Sequence, residues 1–367
     1  MSDMSDVIVI GGGVIGCCVA FELAARHRVK VTILERAVPG AEASSAAGGI
    51  LGAQIESHGK PLEPALFGFL LASRERHAEL DARLQEAVGV GTGFRRCGVL
   101  KVSFRDDLEA QYGWQRDRDV RISFLGGDEA RRIEPQLSTA IDSAVHLPDE
   151  AQVDPPQLLR ALQQGCAAAG VKFMTGTTVR GIARTNGRVV GVEVHDGIVE
   201  ASAVVVAAGS WSSMIAGLPE RLRRVRPVRG QIVAVETRPP IARNIVFGER
   251  GYVVPRPDGR ALLGSTMEEV GHVKDVTVGG VHAVLSTALG LFPALAAAPI
   301  SATWCGFRPA TREDRALIGA VEPGLFVATG HHRNGVLLAP ETARVVADLV
   351  ALGRTDRDLS PFDPTAR

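Results

Sequence analysis

The stretch that decides the fold is Val7-Ile8-Val9-Ile10-Gly11-Gly12-Gly13-Val14-Ile15-Gly16, followed by a helical run to Arg28 and then Val31-Thr32-Ile33-Leu34-Glu35. Four consecutive apolar residues, Val7 to Ile10, predict a buried parallel strand. Gly11, Gly13 and Gly16 form a G-x-G-x-x-G turn that opens a helix, and Glu35 ends a second strand about 20 residues later. Gly11 permits the tight turn, Gly13 lets backbone approach a pyrophosphate, and Gly16 lets helix and strand pack closely. The helix N-terminus presents unpaired N–H groups and a partial positive charge to the phosphates. Glu35 suits a ribose diol and would repel a 2′-phosphate. The stretch implies a dinucleotide without saying which one.

The chain has 367 residues, long enough for two domains with ample core. Lys+Arg and Asp+Glu both number 41, and a net charge of zero argues against nucleic acid as a partner. The five cysteines are Cys17, Cys18, Cys97, Cys166 and Cys305, with no C-x-x-C spacing. They suit free thiols in a reducing compartment better than disulfides or a metal site. Val7 to Ala25 is apolar, yet Asp3 and Asp6 stand where a secretory signal carries positive charge, and Glu22 interrupts the run. No other stretch is long enough to span a bilayer. The expectation is a cytoplasmic protein with neither membrane span nor bound metal.

After Glu35 the small-residue run Ala43 to Ala53 reads either as a flexible loop or as a wall along a cofactor. Leu66 to Val88 has helical periodicity, Gly98 to Phe104 predicts a strand, and residues 105 to 135 predict peripheral helices and loops. Asp154-Pro155-Pro156 opens a helix to about Ala169, with Asp154 as N-cap and proline in the first turn. Val171 to Met174 predicts a short strand, and another starts at Thr178-Val179. Arg188 to Val194 and Ile198 to Ala203 bracket a hairpin turn, and Val204 to Val206 predicts a buried strand. Residues 225 to 308 alternate strand patterns with turns, with strands at Ile232 to Glu236, Tyr252 to Pro255 and Ala261 to Ser265. Leu325 to Ala328 is a last buried strand, and Gly335 to Leu352 a largely apolar helix. The fold class is therefore α/β plus antiparallel sheet. A Rossmann-like domain is built from the start, middle and end of the chain, and a mixed-sheet domain is interleaved with it.

Several further motifs run nearly end to end: Ala47 to Ala53, Pro227-Val228-Arg229-Gly230-Gln231, Tyr252 to Arg256, Gly264-Ser265-Thr266-Met267, Gly306-Phe307-Arg308-Pro309 and Gly330-His331-His332-Arg333-Asn334-Gly335 to Pro340. With them the chain resembles the D-amino-acid-oxidase (DAO) superfamily of flavoproteins, and within it the glycine oxidases of thiamine synthesis. The resemblance implies a glutathione-reductase-type FAD-binding domain over 1–80, 140–218 and 304–367, and a substrate-binding domain over 81–139 and 219–303. It implies non-covalent FAD, a small amino acid or amine as substrate, hydride transfer from Cα to flavin N5, imine hydrolysis, O2 as acceptor and a possible homotetramer. It also implies FAD contacts from Gly11, Gly13, Val14, Ile15, Gly16, Glu35, Arg36, Ser44, Ser45, Ala47, Gly48 and Gly49. Further contacts come from Val179, Ala208, Gly209, Trp211, Gly306, Arg308, His332, Arg333, Asn334, Gly335, Val336 and Leu337. The residues agree on the cofactor through an absence: no second glycine fingerprint follows a strand, so one dinucleotide is reduced directly by substrate.

A substrate carboxylate needs an anchor, and a guanidinium provides one bidentately. Arg308, at the end of the apolar strand Ala302 to Phe307, is the candidate and matches the family's carboxylate-binding arginine. Tyr252 reads as a second hydrogen bond to the carboxylate or as a core aromatic. Met267 and Ile50 line the pocket or simply pack. Arg333 adds charge at the site or braces its loop. His331 and His332 are not expected to act as bases, since hydride transfer requires none. The turn from Gly330 to Gly335, with the helix N-terminus behind it, is placed to stabilise negative charge on the reduced flavin. Three departures from the relatives stand out: Arg250 where glycine oxidases have histidine, Cys305 near the covalent flavin site of some sarcosine oxidases, and Leu262 where those carry lysine. Two alternatives stay open: a dehydrogenase or sarcosine-oxidase-like enzyme of the same fold, and a flavin-binding electron-transfer subunit.

Overall fold

A computed structural model describes residues 5–365; Asp3 lies outside them. Ser5–Ile10 forms the centre of the first eight-stranded sheet, parallel to Val31–Glu35 on one side and to Gly197–Val206 on the other. Lys172–Thr175 and Leu325–Thr329 extend the parallel part on its two flanks. The expected hairpin arm and the expected buried strand at Val204 are one element, Gly197–Val206. Its first half pairs antiparallel with Arg188–Val194, and its last three residues lie between parallel neighbours. The partner switch follows the sequence: Gly197 to Glu200 are exposed or half-buried, whereas Val204 to Val206 are fully buried.

The helix Val14–His27 and the last helix, Gly335–Leu352, share one apolar cluster containing Val19, Leu23, Val345 and Val346. Each fully buried side chain of this size contributes roughly 1.5–3 kcal/mol. Cys17, Cys18 and Cys166 are buried in the same cluster as free thiols. Asp154 caps the helix Pro155–Ala168, accepting from Gln157 N–H at 3.1 Å.

The second eight-stranded sheet runs, in spatial order, Ile300–Ala310, Arg226–Glu236, Arg260–Gly264, Tyr252–Pro255, Ile245–Phe247, Val99–Ser103, Ser143–Leu147 and Ser123–Gly126. All its pairs are antiparallel except Ile245–Phe247 with Val99–Ser103. Ser143–Leu147 belongs wholly to this sheet, and Ile300–Ala310 pairs along its length with Arg226–Glu236. Sheet membership therefore runs across the expected boundaries at 139/140 and 303/304. A small third sheet joins Ile50–Leu51, Arg95–Arg96 and Ala151–Gln152.

Three local expectations change. Residues 278–291, read as strand and turn, form a helix, Val278–Leu291, capped by Thr277, whose hydroxyl accepts from Gly280 N–H at 3.1 Å. Its three glycines and exposed Val278 mask the helical pattern, and burial of Val284, Ala288 and Leu291 against the sheet fixes it. Ser123–Gly126, within the expected peripheral segment, is an edge strand. Thr178-Val179 lies in a connection, and the strand starts at Gly181, because Thr177 N–H is drawn to Glu35 O at 3.0 Å. Among the described residues no helix is long and apolar enough to cross a membrane, and no cluster of potential ligands could hold a metal ion.

Candidate active site

At the C-terminal end of Ser5–Ile10 the chain turns through Gly11, whose φ of 103° favours glycine. A Cβ on Gly16 would stand 1.9 Å from Gly11 O, so only glycine lets the helix start there. Gly13 is open toward the cleft, and the nearest atom to a Cβ on it is Ser44 Oγ at 3.1 Å. Val14 N–H donates to that hydroxyl at 2.9 Å, while Gly13 offers the helix no side-chain cap. First-turn amides without intrahelical carbonyls are a ready anion site. Glu35 accepts from Gly12 N–H at 2.8 Å and from Ala37 N–H at 2.9 Å, which fixes its carboxylate beside the turn. Next to it, the Arg36 guanidinium carbon lies 3.8 Å from the Trp211 ring centre.

These groups border one continuous cavity of about 1210 Å³ that also reaches the second sheet. It brings together all the sequence-predicted site residues except three. Gly16 is packed onto Gly11, Ser45 Oγ donates to Glu42 O at 3.3 Å, and Leu337 is buried in the core with its carbonyl accepting from Ser73 Oγ at 2.7 Å. Lys101, whose Nζ donates to Gly248 O at 2.8 Å, also lines the cavity and was not foreseen.

At the far end, cross-strand register places the polar groups. Tyr252 pairs with Gly264 and with Phe247, and Val228 pairs with Arg308. The Arg308 side chain folds over Gly230, where a Cβ would lie 2.4 Å from the guanidinium. Its Nη1 donates to Thr266 O at 3.0 Å and its Nη2 to Ser265 Oγ at 2.5 Å. Burial holds this guanidinium below its ordinary pKa. Among the described residues no carboxylate pairs with it, so a protonated arginine stands unneutralised in the cleft with N–H donors to spare. The Tyr252 ring lies over Gly48 and Gly264, and its hydroxyl has no hydrogen-bond partner among the described residues. Arg333 differs from Arg308: Glu56 pairs with it at 2.9 Å and raises its pKa. Met267 is exposed and Ile50 half-buried at the cavity wall. Ser265, Thr266, Gly230 and Glu56 were not singled out from sequence. The first three lie inside quoted motifs, but only the folded register gives them work; Glu56 carries no local signal.

The connection before the last helix carries His331 and His332. Burial makes both neutral, with pKa values pushed down to about 3 and about 4. His331 Nε2 lies 3.2 Å from Thr342 Oγ1, and His332 Nδ1 lies 3.2 Å from Asp314 Oδ1. Asn334 gives the last helix no side-chain cap, and its first turn holds no acid.

The model of the FAD-dependent oxidoreductase (DAO) family matches residues 6–349. The chain belongs to this family. It is 37% identical to glycine oxidase of Geobacillus kaustophilus, with 100% of this chain and 98% of that protein aligned. It is 36% identical to the bifunctional protein ThiO/ThiG of Synechocystis sp., where it spans 53% of that longer protein. The crystal structure of glycine oxidase from Geobacillus kaustophilus superposes with a TM-score of 0.93 at 36% identity, covering 99% of each chain.

FAD is the family's cofactor, and the cleft fits it on its own evidence. Gly11 and Gly13 leave backbone rather than side chain beside the first-turn amides, of which Val14 N–H is held by Ser44 Oγ, as a pyrophosphate site requires. His332 Nε2 is buried without a hydrogen-bond partner among the described residues, so the ring turns a free polar atom toward the cleft, as a site for a polar cofactor edge requires. The second uncapped helix end suits the electron-rich end of a reduced flavin. Cys305 alternates with Gly306 along its strand and does not line the cleft, in keeping with non-covalent FAD. Leu262 is buried in apolar packing, and Arg250 is exposed at the cleft margin.

Proposed function

We propose that the chain oxidatively deaminates glycine, or another amine of similar size bearing a carboxylate. Its Cα–N bond becomes an imine that water hydrolyses to the oxo acid and ammonia, and O2 takes the electron pair as hydrogen peroxide. The observation that carries this reading is the unneutralised guanidinium of Arg308, aimed into the cleft beside an unpartnered Tyr252 hydroxyl. Bound FAD supplies the two-electron acceptor. Arg308 binds the carboxylate through N–H groups left over from Thr266 and Ser265, and Tyr252 donates a second hydrogen bond to it. Thr266 and Ser265 hold the guanidinium in one orientation, so positioning supplies much of the rate. Met267 and Ile50 bound the space left for a substituent on Cα. Arg333, already neutralised by Glu56, braces the loop before the last helix rather than competing with Arg308. The reading extends to a cytoplasmic protein, in keeping with five free cysteines, and to service in thiamine synthesis, in keeping with the relatives' names; a homo-oligomer is part of the same proposal.

The experiment is to supply purified, FAD-loaded protein with glycine in air and quantify glyoxylate, ammonia and peroxide. Equimolar formation of all three supports the reading. Flavin bleaching by glycine without peroxide would assign a dehydrogenase, and absence of bleaching would exclude glycine as substrate.

A further inference from the structure

Residues 265–277 join the strand Arg260–Gly264 to the helix Val278–Leu291 and are fastened at Glu268 to the second sheet. Arg229 and Glu268 exchange both main-chain hydrogen bonds, at 2.9 and 3.0 Å, and their side chains form an ion pair. Arg229 Nη1 donates to Val273 O at 3.0 Å, and Gln231 Nε2 donates to Glu268 at 2.7 Å and to Thr277 Oγ1 at 3.1 Å. Beyond this base, the tip leaves its own sheet and touches the walls of the dinucleotide crevice. The His272 ring stacks on Trp211 with centres 4.7 Å apart and planes at 25°, and His272 Nε2 lies 3.2 Å from Ser210 Oγ. Lys274 Nζ reaches Glu42 Oε2 at 2.9 Å and Ala41 O at 3.4 Å.

These contacts close on themselves. Glu42 accepts from Arg36 at 3.1 Å, Arg36 lies over Trp211, Trp211 stacks on His272, and Val273 joins His272 to Lys274. Arg36 follows the strand Val31–Glu35 and Trp211 follows Gly197–Val206, the two neighbours of Ser5–Ile10. The ring therefore spans the crevice at Gly11 and ties its two sides together. Arg36, Glu42 and Trp211 line the cleft, whereas His272 and Lys274 do not and hold it from outside.

We propose that His272 and Lys274 are positioning residues that clasp the dinucleotide crevice, holding Arg36 and Trp211 in their stacked arrangement and slowing release of FAD. The proposal rests on the crevice being the FAD site. A loop of the substrate-side sheet thus takes part in retaining the cofactor. An exposed ion pair such as Lys274–Glu42 shifts an equilibrium by up to about fivefold, and a stacked aromatic pair by a similar factor.

The test measures FAD dissociation from the full-length holoprotein by recovery of free-flavin fluorescence on dilution. Thermal unfolding of each apoprotein serves as a check on folding. His272→Ala is expected to weaken FAD binding about fivefold and Lys274→Met about threefold, with Lys274→Arg restoring the wild-type value. The Lys274→Met effect shrinks in high salt, where an exposed pair is screened. Unchanged FAD affinity in His272→Ala and Lys274→Met, alongside weakened affinity in Trp211→Ala, overturns the clasp while leaving the crevice assignment intact. Unchanged affinity in all three also removes the Arg36–Trp211 wall from the FAD site.

Discussion

The two ends of the cleft are made of different material. The Gly11 end presents main-chain amides and lacks side chains; the Arg308 end presents side chains hung from paired strands, and on the proposed reading each does the recognising at its own end. The turn at the first end lies within ten consecutive residues, with Glu35 and Ser44 fixing it from just beyond them. The second needs Gly230, Tyr252, Ser265, Thr266 and Arg308 to meet through the register of neighbouring strands. A binding surface for an invariant cofactor can be written locally in backbone, whereas one that selects among amines depends on where distant side chains land.

The comparison breaks most severely at Gly16. Gly16→Ala puts a methyl group 1.9 Å from a carbonyl oxygen that cannot move without parting helix from strand. The expected cost is about 3 kcal/mol or more, seen as a lower unfolding temperature and loss of bound flavin. A normal FAD-loaded Gly16→Ala protein would show that this end tolerates side chains after all.

The next effect concerns the histidine turn between the two ends. His331 is held neutral, with its pKa depressed from 6.5 to about 3 by burial. A depressed folded pKa means that this stability is present above the unfolded value and is lost as pH falls from 6.5 toward 3. At pH 5 the unfolded chain already takes up the proton, a loss of about 2 kcal/mol. Glu150 acts in the opposite direction: burial raises its carboxyl to about 7, so its contribution is present at low pH and disappears as pH rises through 7. Denaturant titrations of His331→Gln at pH 7 and pH 5 isolate the histidine, and the drop between the two pH values should shrink by about 2 kcal/mol. An unchanged drop would mean that the ring is already protonated, or hydrated, in the fold.

Smaller effects separate the two ends. Gly230→Ala brings a Cβ to 2.4 Å from the Arg308 guanidinium, on an otherwise intact strand. The glycine KM should rise about tenfold while FAD stays bound, the equivalent of about 1.4 kcal/mol. Loss of flavin instead would show that the ends are not independent. Tyr252→Phe removes one hydroxyl with no partner among the described residues, so stability should hold and KM rise about fivefold, the worth of one hydrogen bond. No change in KM would take the hydroxyl off the carboxylate.

What could be read from the sequence follows the same division. The fingerprint, the Asp154 cap and the helix Gly335–Leu352 were legible because each depends on neighbours in the chain. Arg308 and Tyr252 were found as residue types in recognised motifs, but their surroundings were not: the room left by Gly230 and the grip of Ser265 and Thr266 appear only once strands pair. The helix Val278–Leu291 was missed because three glycines and exposed Val278 hide its periodicity, and tertiary packing makes it helical. The partner switch inside Gly197–Val206 was hidden for a related reason, since both halves are strands and only their neighbours differ.

The most direct test of an amine end that works separately from the cofactor end is anaerobic titration of Arg308→Ala holoprotein with glycine, following loss of the oxidised flavin's visible absorbance. Wild-type protein and a carboxylate-free amine of similar size serve as controls. Loss of a buried, hydrogen-bonded charge pair costs roughly 2–5 kcal/mol. The expected result is that FAD remains bound, the glycine concentration for half-bleaching rises by about a hundredfold or more, and the response to the simple amine hardly moves. Equal weakening for glycine and the simple amine, or loss of FAD on the same substitution, would contradict it.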